Sequence, residues 1–192
     1  LCYQNIPVKI IGVGGGLSYG SDGSTHHGLE DICLMRTLPG MTVVAPGNAY
    51  EAKMLMPSFN AVQGPGYFKC SLLEEIITHP SNCEITLGKA VPIIQNDTAM
   101  LITTGNALDL GWKVVQQLQS EYGISIGLTS MPTVKPLDTE YLLKNKWQAI
   151  FTLEEQFIMG GFGQEVAQTL LENRTDLFTF KAFGINDTYF HT

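Results

Sequence analysis

Apolar residues fall in short dense blocks separated by glycine, proline and small polar residues, and most blocks read as strands or as one face of a helix. Pro7–Val13 is a largely apolar run of the kind buried on both faces of a parallel sheet. It enters the loop Gly14–Gly28, too rich in glycine and serine for either period. A helix is predicted over Leu29–Arg36, stopped by Pro39-Gly40, and then a short strand over Met41–Ala45. Asn48, with Glu51 three residues on, resembles a capping pair that opens a helix to about Met56. Gly64-Pro65-Gly66 then turns into a strand near Tyr67–Cys70.

Between Glu74 and Asp97 both periods fade, which predicts a connector with room for one short strand. Order resumes with a strand at Ala99–Thr104. Leu108, Trp112, Val115, Leu118 and Tyr122 then form one stripe of a helix. Further on come a strand over Ile124–Thr129, a turn at Pro132–Pro136, a helix over Thr139–Asn145 and a strand over Gln148–Leu153. Gly160-Gly161-Phe162-Gly163 opens a helix to about Asn173, and a last strand lies near Phe178–Ala182. This alternation predicts an α/β chain of two three-layer parallel-sheet units, residues 1–73 and 98–192, joined by a linker over 74–97. The first unit is short of strands and the last strand has no closing helix, so the chain reads as truncated at both ends.

Composition narrows the function classes. Of 192 residues, 44% are hydrophobic and 15% charged, which excludes a disordered polar chain and a coiled coil. Eleven basic against eighteen acidic residues give a net charge of −7, so no basic face is available and nucleic acid is not an expected partner. No apolar run approaches the roughly 18 residues of a membrane helix, and the first residues lack a secretory pattern. Cys2, Cys33, Cys70 and Cys83 form no C-x-x-C pair and read as reduced residues of a cytoplasmic protein.

The glycines of Gly12–Gly16 fail the dinucleotide fingerprint, because Leu17 stands at the third glycine position, and no Walker lysine follows. Gly160–Gly163 fails likewise, with Val166 at that position. Tight turns and close backbone approach account for both. The stretch Gly20–Asp31 is more informative. It lies just past the carboxyl end of an apolar strand, where open α/β sheets place their ligands, and it carries Asp22 and His26 on a loop. A metal set drawn from His26, His27, Glu30 and Asp31 is disfavoured, since adjacent histidines point apart and no zinc motif has this spacing.

The run Gly16-Leu17-Ser18-Tyr19-Gly20-Ser21-Asp22-Gly23-Ser24-Thr25-His26-His27, followed by Glu30-Asp31, Met35-Arg36, Pro39-Gly40-Met41 and Ala45-Pro46, resembles the second half of the pyrimidine-binding domain of transketolases. Ile102–Asn106, Lys135–Asp138, Leu153-Glu154-Glu155-Gln156 with Gly160–Gly163, and Gly184–Asp187 resemble the C-terminal domain of the same superfamily. The resemblance covers almost the whole chain in order. Deoxyxylulose-phosphate synthases and β chains of 2-oxo acid dehydrogenases share much of it, and Glu30-Asp31 favours the transketolase branch.

The resemblance implies a transferase that moves a two-carbon ketol unit between sugars with thiamine diphosphate and magnesium. His26 matches the histidine that hydrogen-bonds the sugar near the reacting carbon, and Asp22 matches the aspartate that reads the neighbouring hydroxyl. The glutamate that activates the cofactor and the Gly-Asp-Gly motif that holds diphosphate and metal have no counterpart in this sequence. The expectation is therefore an inactive piece, completed by a homodimer or by a heteromer with a chain carrying the diphosphate-binding domain. The alternatives are a relative on the other two branches and a non-catalytic structural or regulatory subunit. Two departures bear on substrate: Gly14 and Leu73 stand where many members carry a histidine and an arginine that contact the sugar phosphate, and Lys69 is the nearest cation. A changed acceptor is the expectation. Trp112, Met131 and Phe162 are expected as packing residues, and His79 and His191 at the surface.

Overall fold

A computed structural model describes residues 1–70, 79 and 83–189. Leu73 and His191 fall outside these described residues, as does most of the first half of the predicted linker. The elements run β1 (Lys9–Val13), α1 (Asp31–Thr37), β2 (Thr42–Val44), α2 (Ala49–Ala61), β3 (Gly66–Cys70), β4 (Val91–Ile94), β5 (Ala99–Thr103), α3 (Ala107–Tyr122), β6 (Gly127–Ser130), β7 (Thr133–Lys135), α4 (Thr139–Lys144), β8 (Ala149–Phe157), α5 (Phe162–Asn173) and β9 (Thr179–Ile185).

The strands form two sheets, ordered β1-β3-β2-β7 and β4-β6-β5-β8-β9. Both are parallel except at one edge each. There β7 runs antiparallel to β2 and β4 antiparallel to β6. The α/β class predicted from the alternation holds, with these edge strands as the difference. The Pro132–Pro136 segment, predicted as a turn, contains β7, whose flanking prolines suit an edge strand because they owe no ladder bond on the outer side. Through β7 a segment of the second half completes the first sheet.

Burial follows the pleat. In β5, Leu101 packs with Leu108, Val115 and Leu128 under α3, while Met100 and Ile102 face Phe162, Val166 and Leu170 of α5. Two right-handed crossovers leaving the sheet centre in opposite directions put α3 and α5 on opposite faces. The first sheet is likewise two-sided. Val44 and Phe68 meet Leu55 and Phe59 of α2, and Val43 and Tyr67 join the core of the second half. One hydrophobic cluster thus runs from Ile32 to Leu170 across both halves. Met131 and Phe162 are fully buried in it.

Two elements outrun their sequence signals. The α2 helix continues past Pro57 to Ala61. Leu55 and Phe59, four residues apart on one face, are both buried, and Phe59 meets Phe68 edge-on at 5.1 Å. That burial outweighs the single bond the proline forgoes. The β8 strand extends four residues beyond Leu153 through Glu154-Glu155-Gln156-Phe157.

Candidate functional site

The carboxyl ends of parallel strands β1 and β3 point to one edge of the first sheet, and Gly14 leaves it by donating its N–H to Cys70 O at 2.9 Å. The following loop closes on itself. Gly16 and Gly28 exchange backbone hydrogen bonds of 2.9 and 3.0 Å, so residues 16–28 form a hairpin-like lobe standing on two adjacent feet. Both Gly14 and Gly16 have left-handed φ values, +73° and +72°, and neither has room for a side chain. A Cβ on Gly14 would meet the Tyr19 ring at 2.3 Å, and one on Gly16 would meet Glu155. The glycines serve close approach, as the failed nucleotide fingerprints imply.

Asp22 closes a short 3-10 turn, Gly20–Asp22, and its N–H donates to Tyr19 O at 3.0 Å. His26 follows one turn later, its N–H donating to Gly23 O at 3.0 Å. Both side chains are exposed on the lobe, and among the described residues no hydrogen bond joins them. Nδ1 of His26 lies 3.0 Å from Thr25 Oγ1, and its ring meets Tyr19 edge-on at 6.1 Å. His27 turns back across the lobe, with Nε2 2.9 Å from Gly20 O.

The feet stand on a buried polar network. Lys69 Nζ donates to Gly28 O and to Asp31 Oδ1, each at 3.1 Å, and the Tyr67 hydroxyl donates to Asp31 Oδ2 at 2.5 Å. Lys69 is only 4% exposed. Burial lowers its pKa, against the pull of Asp31. The ammonium is therefore engaged inside the protein. Glu30 accepts the Leu29 N–H at 3.1 Å, so the two acids after the histidines serve the lobe's exit and α1.

The other half of the chain completes this network. Gln156 Nε2 donates to Gly28 O at 3.1 Å. Glu155 accepts from the Leu17 N–H and from Asn106 Nδ2, the latter at 2.5 Å. Burial raises the Glu155 pKa, against these donors and Lys69. Glu154 accepts the N–H groups of Phe162 and Gly163, both at 2.7 Å, at the start of α5, and burial pushes its pKa up to about 7. Arg36 of α1 pairs with Glu165 of α5 and donates to Gly160 O at 2.6 Å. The sequence places Glu154, Glu155 and Gln156 in a resembling motif without giving them a role. Their signal is three polar residues continuing an apolar strand.

A cleft of about 470 Å³ opens beside the lobe, lined by Leu17, Asn106, Glu155, Lys181 and Asn186 among others; neither Asp22 nor His26 lines it. His79, expected at the surface, is instead packed away. Its side chain is 5% exposed and its Nε2 lies 3.0 Å from the fully buried Glu51 carboxylate. Among the described residues, no three His, Cys, Asp or Glu side chains converge as a metal site. No described helix is long and apolar enough to cross a membrane.

The family described as "Transketolase, pyrimidine binding domain" matches residues 1–68, and "Transketolase, C-terminal domain" matches residues 88–191. A chain of Methanocaldococcus jannaschii described as a transketolase C-terminal section is 30% identical over 191 residues, covering 98% of this chain and 60% of that one. An apulose-4-phosphate transketolase subunit of Phocaeicola vulgatus is 33% identical over 177 residues, 90% of this chain and 56% of that one. A solved structure described as "Split gene transketolase, inactive beta4 tetramer" superposes with a TM-score of 0.84 at 25% identity, covering 97% of this chain and 60% of that one. The chain thus spans 60% or less of these relatives' lengths. With both family segments matched in order over nearly its whole length, this chain belongs to the transketolase family.

Proposed function

We propose that this chain is the sugar-binding part of a transketolase-like enzyme that moves a two-carbon ketol unit between small sugars, and that it is inactive until assembled with the remainder of the fold. Thiamine diphosphate and magnesium belong to that remainder, on a partner chain or a covalently joined segment, in a cytoplasmic homodimer or heteromer. Residues 1–73 act as the second half of a pyrimidine-type unit and residues 98–192 as the C-terminal unit. The observation that carries the reading is the lobe itself. Within a chain of this family, it presents Asp22 and His26 to solvent just past the carboxyl end of a parallel strand.

The chain's own part is to bind and orient the sugar. Thr25 fixes the His26 ring through Nδ1, which leaves Nε2 for a hydroxyl next to the reacting carbon. The exposed Asp22 carboxylate accepts from the adjacent hydroxyl and so selects its configuration. With Lys69 engaged below and Tyr19 lying over Gly14, the acceptor is one that does not depend on a phosphate grip at the foot of this lobe.

The test is ketol transfer by the chain assembled with the subunit that carries the diphosphate-binding domain. His26→Ala and Asp22→Ala should each lower turnover at least tenfold without altering assembly. Unchanged kinetics in both would overturn the reading. A strong preference for phosphorylated over unphosphorylated acceptors would overturn the acceptor assignment.

A further inference from the structure

We propose that Glu155 and Gln156, from the C-terminal half of the chain, are positioning residues for the lobe that carries Asp22 and His26. The inference rests on the function proposed above. Both feet of the lobe are tied to these two neighbouring residues: Leu17 N–H donates to Glu155, and Gln156 Nε2 donates to Gly28 O at 3.1 Å. Gln156 spends its other N–H on Glu155 O at 2.9 Å, and Asn106 holds Glu155 Oε2, so neither side chain is free to swing.

The strand bearing them is anchored on both sides of the pair. β8 pairs with β5 and β9 up to Leu153 and again with β9 at Phe157, after a register shift across Glu155 and Gln156, whereas the outer part of the lobe, residues 19–22 and 25–26, is exposed. Their placement matters because of where they act. Gly16 and Gly28 form the hinge line of the lobe, and a change in tilt there is magnified at Asp22 and His26 further out. An ångström-scale misplacement of a substrate-contacting group is enough to lose two orders of magnitude in rate. The contact between the halves is thus part of the sugar site, although none of its residues need touch the sugar.

Three variants separate position from bulk. Gln156→Met keeps length and burial but removes the donor to Gly28 O. Glu155→Ala removes the acceptor of Leu17 N–H, and Glu155→Gln restores an acceptor oxygen. In the chain itself, Gln156→Met and Glu155→Ala should raise amide exchange across residues 17–28 at least tenfold, with β5 amides unchanged. In the assembled enzyme they should raise KM for the donor sugar at least fivefold, and Glu155→Gln should restore most of that loss. If Glu155→Ala fails to fold, Gln156→Met alone decides. Unchanged loop exchange and KM, alongside an inactive His26→Ala enzyme, would overturn the positioning role while leaving the proposed function standing. A loosened lobe in an enzyme for which His26→Ala and Asp22→Ala are harmless would overturn both.

Discussion

The Glu155 carboxylate occupies the space beside the Cα of Gly16: a Cβ on Gly16 would stand 2.1 Å from Glu155 Oε2. Gly16→Ala must therefore push aside an anchored side chain and also hold an L residue at φ +72°. The backbone conformation alone costs about 1–2 kcal/mol, and displacing Glu155 from its charge-assisted partners adds about as much again. For a chain of this size a loss of about 2–4 kcal/mol lowers Tm by roughly 10 °C. Thermal and denaturant unfolding of Gly16→Ala measure it. A loss under about half a kcal/mol would mean that Glu155 yields freely and that the grip on the lobe is weak.

The same contact shows where the sequence is legible. Apolar blocks such as Ala99–Thr103 and the Leu108-Val115 stripe declare themselves locally, because burial and period coincide within one element. The Asp22–His26 lobe stands out as a motif on a loop past a strand. The apolar pattern of β8 stops at Leu153 because Glu154 and Gln156 sit at buried positions that are normally apolar. Their partners make the burial tolerable, and Gly28 lies 128 residues from Gln156 in sequence. The β7 strand is hidden for the same reason: its ladder partner β2 lies in the other half. His79 reads as a surface residue because nothing near it in sequence announces the Glu51 carboxylate. Long-range polar pairing, unlike apolar periodicity, leaves no local trace.

Glu154 should make stability fall as pH rises from the acidic range to neutrality. Its pKa is pushed up from the usual 4.5 to about 7, chiefly by burial, against the N–H groups of Gly163 and Phe162 and the charges of Arg36 and Lys69. Between those values the folded chain holds a proton that the unfolded chain has released, so unfolding free energy declines as pH rises from about 4.5 to about 7 and then levels off. The full difference is of order 3 kcal/mol. Carboxyl carbon NMR should show Glu154 titrating with a midpoint near 7, and Glu154→Gln should flatten this part of the stability profile. A midpoint in the ordinary carboxylate range would refute the assignment.

The Lys69–Asp31 pair should behave as a coupled unit. Lys69 is buried, with Asp31 and Gly28 O as its partners, and Asp31 is also held by the Tyr67 hydroxyl. Lys69→Met keeps the stem and removes the charge, leaving a half-enclosed carboxylate facing one phenol; the expected loss is about 3–5 kcal/mol. Asp31→Asn in the same chain removes the stranded charge while keeping an acceptor for Tyr67, so the double variant should recover at least half of the loss. Tyr67→Phe, which deletes a single hydrogen bond, should cost about 1–2 kcal/mol. Unfolding free energies of the two single variants and the double one close the cycle. If Asp31→Asn only adds to the damage of Lys69→Met, the ammonium is held by Gly28 O alone, and Asp31 belongs to Tyr67 rather than to the base of the lobe.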